Sequence, residues 1–230
     1  MKFLITNDDG IDAPGIAALA QAASEFGEVV VAAPFDHLSG CSHQVTVGTG
    51  IAVEDRGDDR YAVHGTPADC ARLGIWNLAR DFDWILSGVN SGGNLGADAY
   101  YSGTIAAVRE ACLHGKQGIA FSMFRRQAKP HNWDNARRWT ALVLRELLAT
   151  PISTRTFWNV NLPCLDVGNP EPKRVRCPLD PNPLTLAFVE EPEGRLRSAG
   201  DYFTRPRIPG GDVSVCFGGD ISMTLMGLYS

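Results

Sequence analysis

Two adjacent carboxylates, Asp8 and Asp9, stand between Asn7 and Gly10, directly after a short apolar run at residues 2–6. Like charges side by side at a strand end repel each other, and a cation between them relieves the conflict. Two more polar stretches follow apolar runs: Ser39-Gly40-Cys41-Ser42-His43, and residues 87–96, which read SGVNSGGNLG. The ligand atoms in these stretches are carboxylate, hydroxyl and amide oxygens. Such a set suits a hard cation such as Mg²⁺, Mn²⁺ or Ca²⁺ rather than zinc. Tyr101-Ser102-Gly103-Thr104 then opens a helical segment. Free backbone N–H groups, the helix dipole and the hydroxyls of Ser102 and Thr104 offer an anion site there, although the same hydroxyls also suit a plain helix cap. Asp-Asp-Gly by itself is an ordinary turn. A cation site beside an anion cradle has a more specific meaning, the binding of a phosphate ester for hydrolysis.

These stretches act together only if the fold gathers them at one edge. Residues 2–6 read as a buried strand. Residues 14–26 read as a helix, with Ile16, Leu19, Ala20, Ala23 and Phe26 on one face, Pro14 in the first turn and Gly27 as the stop. A second buried strand spans 28–33, and residues 44–53 and 60–64 form a hairpin-like excursion. Thr66 as N-cap, Pro67 at the first position and Asp69 in the first turn start a helix that runs to about residue 80. A third buried strand at 83–87, a helix over 103–114, a strand over 118–123, a helix over 133–149 and a strand over 157–162 follow. Trp133 and Trp139 fall at helical spacing with Ala136, Val143 and Leu147, which makes them core residues.

Strands alternating with helices predict an α/β fold, a Rossmann-like, doubly wound, mostly parallel sheet. Its ligand edge lies beyond the carboxyl ends of the strands. Residues 163–209 are punctuated by proline and do not continue that winding. They predict a β-rich C-terminal extension, an arm or hairpin that packs on another surface, another subunit being one candidate. The expected organisation is one domain over 1–230, with a core over 1–163 and an extension over 164–230.

The chain is 44% apolar and 20% charged, with a net charge of −5. A duplex nucleic-acid binder would carry a basic surface instead. One basic cluster, Arg125, Arg126, Lys129, Arg137 and Arg138, reads as a solvated face. The six cysteines are scattered and form no C-x-x-C pair, so they read as reduced thiols. No leader-like segment precedes the first strand and no apolar run is long enough to span a bilayer, so a cytoplasmic location is expected.

On its motifs the chain resembles the SurE family of metal-dependent 5′(3′)-nucleotidases, the stationary-phase survival proteins. The matching stretches are residues 6–10 (TNDDG) with Pro14-Gly15, Ala33-Pro34, and Ser39-Gly40 with Ser42. They continue through 65–70 (GTPADC), 87–94 (SGVNSGGN) with Gly96, 101–104 (YSGT), 118–120 and 159–163 (NVNLP). The match runs to about residue 163, and the closing stretch 220–226 lacks the proline that the family often carries there. The resemblance implies a Rossmann-like core and a C-terminal part used in homodimer or homotetramer contacts. It implies one divalent cation per subunit, Mg²⁺ or Mn²⁺, held by Asp8, Asp9, Ser39 and Asn90. It also implies phosphate near Asn94 and the Ser102-Gly103-Thr104 turn. The activity implied is release of phosphate from nucleoside monophosphates and, in some members, from short polyphosphate.

Asp8 and Asp9 are the catalytic candidates. Either the cation activates a water, or one aspartate, Asp8 before Asp9, attacks phosphorus or takes the water's proton. His43 and His64 are candidates for a general acid. Two other readings compete. A phosphorelay receiver domain also binds Mg²⁺ with an acidic pair, but its third strand would end in a phospho-accepting aspartate where this chain has Ser87-Gly88-Val89-Asn90. A zinc deacetylase would need a His-Pro-Asp-Asp start and a later His-x-x-His, and neither is present.

Overall fold

The computed structural model describes residues 1–126, 130–150, 152–153, 155–165 and 169–228. The first half runs β1 (Lys2–Thr6), α1 (Pro14–Ser24), β2 (Glu28–Pro34), β3 (Val53–Asp55), β4 (Arg60–Val63) and α2 (Pro67–Leu73). It continues through β5 (Trp84–Ser91), the short α3 (Asp98–Tyr101), α4 (Gly103–Leu113) and β6 (Gln117–Met123). Then come α5 (Trp133–Leu147), β7 (Thr156–Leu162), β8 (Arg174–Arg176), β9 (Phe188–Glu191), β10 (Arg195–Ser198), α6 (Asp212–Phe217) and β11 (Ile221–Gly227).

The main sheet has nine strands in the order β3-β4-β2-β1-β5-β6-β7-β11-β8. From β4 to β7 every neighbouring pair is parallel. The chain winds outward from β1 in both directions, so the order reverses at β1 and β5, where open α/β sheets form their ligand crevice. Phe3, Leu4 and Ile5 are fully buried, as a central parallel strand with both faces covered must be. One face of the sheet packs on α1 and α5 through Ile16, Leu19, Trp139 and Leu144. The other packs on α2 and α4 through Ala71, Ile105, Val108 and Ala111.

Local signals position these helices as the residue types require. Pro14 opens α1. Thr66 caps α2 in a capping box with Asp69, and Pro67 takes the first helical position. The α2 segment then passes into a π-helical turn at Gly74–Leu78 rather than staying regular to residue 80.

Two expectations change. Residues 53–63 do form the antiparallel pair β3–β4, but 44–52 are not strand. There the N–H and hydroxyl of Thr46 both donate to the Asp69 carboxylate, at 2.9 and 2.7 Å, so the polar groups of this alternating stretch serve a buried side chain instead of a ladder. The C-terminal segment also does more than expected. Its β8 joins the sheet edge beside β11, and β11 runs antiparallel to β7. Among the described residues, β9 and β10 form a separate two-stranded hairpin. None of the six cysteines forms a disulfide. Arg137 and Arg138 lie at the surface opposite Glu25 and Glu171, as a solvated face would, while Lys129 lies outside the described residues. No described helix is long and apolar enough to cross a membrane.

Candidate functional site

At the carboxyl end of β1 the chain turns sharply. Asn7 is fully buried and closes the turn on itself: its side-chain amide donates to Gly10 O at 2.8 Å, and Gly10 N–H donates back to Asn7 Oδ1 at 3.2 Å. Gly10 holds φ +101°, which only glycine adopts freely. This lock fixes the direction of Asp8 and Asp9.

The loops after β2 and within β5 are stitched to the same two residues. Leu38 N–H donates to the backbone carbonyl of Asp8 at 2.8 Å, which brings Ser39 alongside as an exposed hydroxyl. Ser91 N–H donates to Asp9 Oδ2 at 2.9 Å, which brings the neighbouring Asn90 alongside from the other direction. The amide nitrogen of Asn90 donates to Gly92 O at 2.9 Å, so its side-chain oxygen is the atom it can offer a cation. The strand itself carries Asn90 to the edge: β5 extends through Ser91, with a register shift against β6 between Ser87 and Asn90.

From the opposite side α4 points its N-terminus at Asp8. Thr104 Oγ1 donates to Asp8 Oδ1 at 2.6 Å. Gly103 leaves room for that approach: a Cβ there would stand 3.0 Å from Asp8 Cβ and Oδ2 and from Cys41 Sγ, so those side chains would have to shift. Ser102 is the N-cap, its Oγ accepting from Ile105 N–H at 3.1 Å. The expected hydroxyl pair thus divides its work, Ser102 holding the helix and Thr104 holding the carboxylate. Burial pushes the Asp8 carboxyl up to about 6, against the lowering effect of the Thr104 hydrogen bond and with a further upward push from Asp9.

Asn94 is a buried post of the glycine-rich loop. Its N–H donates to Asn161 Oδ1 at 2.8 Å, its amide to Ser122 Oγ at 2.7 Å, and its carbonyl accepts from the amides of Asn159 and Asn161 at 2.8 and 3.2 Å. Asn159 and Asn161 lie two apart on β7 and so present the same face. Beyond Asn94 the C-terminal segment braces the loop. The fully buried Asp212 accepts from Gly96 N–H at 2.8 Å and from Asp180 N–H at 2.8 Å. Arg205, 2% exposed, pairs with Asp98 at 2.9 Å and donates to Leu95 O at 3.1 Å. No spacing in the sequence marks Arg205 or Asp212 as part of the site, because the residues they hold there, Leu95, Gly96 and Asp98, are more than a hundred residues away.

His43 and His64 do not reach the carboxylates. Their Nε2 atoms meet Glu110 at 2.9 Å and Glu54 at 2.8 Å. Two other imidazoles arrive on the Asp9 side. His37 Nδ1 lies 3.4 Å from Asp9 Oδ1, and His131 Nε2 lies 2.9 Å from Ser91 Oγ. His37 was legible as a member of the Ser39 loop, whereas His131 comes from beyond β6 and gave no sequence signal. Among the described residues no three His, Cys, Asp or Glu side chains gather to hold a metal. A cation here would draw on the two aspartates plus neutral oxygens.

The chain matches the family described as Survival protein SurE over residues 3–178. A Nostoc protein named putative 5′-nucleotidase is 50% identical over 224 residues, covering 97% of this chain and 98% of that one. The 5′-nucleotidase SurE of Pelobacter propionicus is 43% identical over 164 residues, covering 71% of this chain and 66% of that one. The crystal structure of the SurE protein from Aquifex aeolicus superposes with a TM-score of 0.87 at 32% identity, covering 99% of this chain and 94% of that one.

Proposed function

The chain belongs to the Survival protein SurE family, and from that premise we propose that it is a 5′-nucleotidase. It would be a divalent-metal-dependent phosphomonoesterase that releases phosphate from nucleoside 5′-monophosphates, with 3′-monophosphates and short polyphosphate as further substrates. The observation that carries the reading is the bond from Thr104 to Asp8, which joins an acidic strand end to a helix N-terminus.

The donor set fits a hard cation. Asp8 and Asp9 supply the charge, Ser39 and Asn90 supply neutral oxygens, and the Cβ-free surface of Gly103 keeps Asp8 Oδ2 clear. Mg²⁺ or Mn²⁺ bound there supplies Lewis-acid polarisation and a more acidic water. The chain's own groups do the rest. The backbone N–H groups at the start of α4, at Gly103 and Thr104, face the phosphate, and the helix dipole favours its charge. Ser102 caps the helix that carries those groups, and Asn94 anchors the neighbouring glycine-rich loop, with phosphate expected near both. Asp8 serves as base or nucleophile, and Thr104 sets its rotation.

The hairpin β9–β10 supports a homo-oligomer, dimer or tetramer. Two strands alone are marginal in water, and this pair exposes Phe188, Val189 and Leu196. Six cysteines without a disulfide suit a reducing compartment such as the cytoplasm.

The test is phosphate release from a panel of nucleoside monophosphates and polyphosphate, with Mg²⁺ or Mn²⁺ and with EDTA. Metal-dependent release from the 5′-monophosphates is expected. Activity that survives complete chelation, or absence of activity on every monoester, overturns the reading.

A further inference from the structure

Beside Asp9 lies a cleft of about 430 Å³ whose walls include Phe35, His37, Ser91 and Trp133. A volume of roughly 300–1,000 Å³ is usual for a small-molecule site. The aromatic residues come from separate elements. Phe35 directly follows β2 and is 40% exposed, its ring stacked on His64 at 4.5 Å. Trp133 opens α5, and its ring lies 4.9 Å from that of His131, which is tied to Ser91.

We propose that this cleft seats the nucleoside, with Trp133 and Phe35 as stacking surfaces for the base and Asp12 as acceptor for the sugar hydroxyls. The proposal rests on reading the Asp8–Asp9 edge as a phosphomonoesterase site and names the residues that recognise what the phosphate is attached to.

Three observations favour a neutral aromatic occupant. Asp9 and Asp12 both line the cleft, so a second phosphate would meet two carboxylates. The N-terminus of α1 borders it, but Pro14 at the first helical position has no N–H to give an anion, and Ala13 provides no side-chain cap. Asp9 belongs to both places at once: one oxygen accepts from Ser91 at the metal edge, and the residue forms part of the cleft wall. A phosphate at the α4 N-terminus therefore leaves its ester group beside the aromatic walls. Every base has a π-face, so stacking of this kind tolerates purines and pyrimidines alike. It discriminates a nucleotide from the same sugar phosphate without a base.

The experiment compares adenosine 5′-monophosphate with ribose 5-phosphate on the Mn²⁺-loaded protein, as wild type, Phe35→Ala, Trp133→Ala and Trp133→Tyr. The ratio of the two kcat/KM values is expected to fall roughly tenfold in each alanine variant, mostly through KM, and to recover in Trp133→Tyr. A ratio that stays at the wild-type value in Phe35→Ala and Trp133→Ala overturns the proposal. Binding of adenosine itself, followed by calorimetry, needs no turnover. If no monoester is hydrolysed, the function above fails while the cleft is still tested. Adenosine binding weakened by Phe35→Ala supports it, and binding that is absent or indifferent to the variants overturns it. Phe35 lies at the surface, so its variant keeps the test valid should Trp133→Ala unfold.

Discussion

Thr104 and Asp8 stand 96 residues apart in the chain, yet the hydroxyl of one donates to Oδ1 of the other at 2.6 Å, with both residues buried. A buried carboxylate held by one short hydrogen bond has a fixed direction and a tuned affinity for its proton. The acidic strand end and the N-terminus of α4 are thereby one rigid unit.

Thr104→Val keeps the shape and removes the hydroxyl. Loss of such a supporting bond typically costs about 10- to 100-fold in activity or metal affinity. The expected outcome is a kcat lower by that order, with Thr104→Ser recovering most of it. Steady-state phosphate release checks this, and a Thr104→Val enzyme at full kcat would remove Thr104 from the mechanism.

Asp8→Asn should lower phosphate release by at least roughly a hundredfold, because the amide can neither accept a proton nor bind a cation as a carboxylate does. The fold should persist, and circular dichroism would report it. Retention of most of the activity contradicts the role assigned to Asp8.

The raised Asp8 carboxyl also sets a pH dependence in metal-free protein. Its folded value, about 6, lies above the ordinary 3.8, so between those two pH values the folded state holds more protons than the unfolded state. The favourable contribution is complete below about 3.8 and is lost as pH rises through about 6, amounting to a few kcal/mol. In EDTA, Asp8→Asn should therefore melt higher than wild type at pH 7, with the difference shrinking towards pH 4. Metal affinity should run the other way, falling up to about tenfold per pH unit below 6, because the cation must displace the proton. Calorimetric titration with Mn²⁺ at pH 5 and pH 7 measures that.

Gly103→Ala tests the close approach of α4. Alanine is the better helix former, by roughly 0.5–1 kcal/mol, so stability should change little. The new methyl would press on Asp8 Oδ2 and Cys41 Sγ from 3.0 Å, and activity should drop about tenfold or more. An active Gly103→Ala enzyme would mean that the cradle does not need that space.

Arg205→Met removes a cation whose side chain is 1% exposed and leaves Asp98, at 15%, without its ion pair. Breaking such a buried pair costs about 3 kcal/mol or more. Urea unfolding should show a loss of that size. Because Leu95 O also loses one of its two donors, keeping the Asp98 N–H at 3.1 Å, KM for the nucleotide should rise with it.

Much of this was legible in the residues. Continuous apolar runs marked β1 and β2, and Thr66-Pro67 with Asp69 marked the start of α2 down to its capping box. Asp8, Asp9, Ser39 and Asn90 could be placed at one edge because each follows or ends a parallel strand. What failed shares one cause, polar groups satisfied by distant partners. Thr46 alternates with Val45 and Val47 like a strand, but its donors go to Asp69. Residues 88–91 look like loop, yet Asn90 and Ser91 pair with β6 again once the register shifts. Arg205 and Asp212 look like members of a surface arm, and both are buried against the glycine-rich loop.

That bracing gives the enzyme a temporal order. Gly96 is held by a carboxylate placed 116 residues later in the chain. A domain folds as a unit once its residues have left the ribosome. The acidic edge and the loop beside it are therefore complete only after Arg205 and Asp212 have been translated. A nascent chain stalled short of them would lack the loop's braces and be catalytically silent.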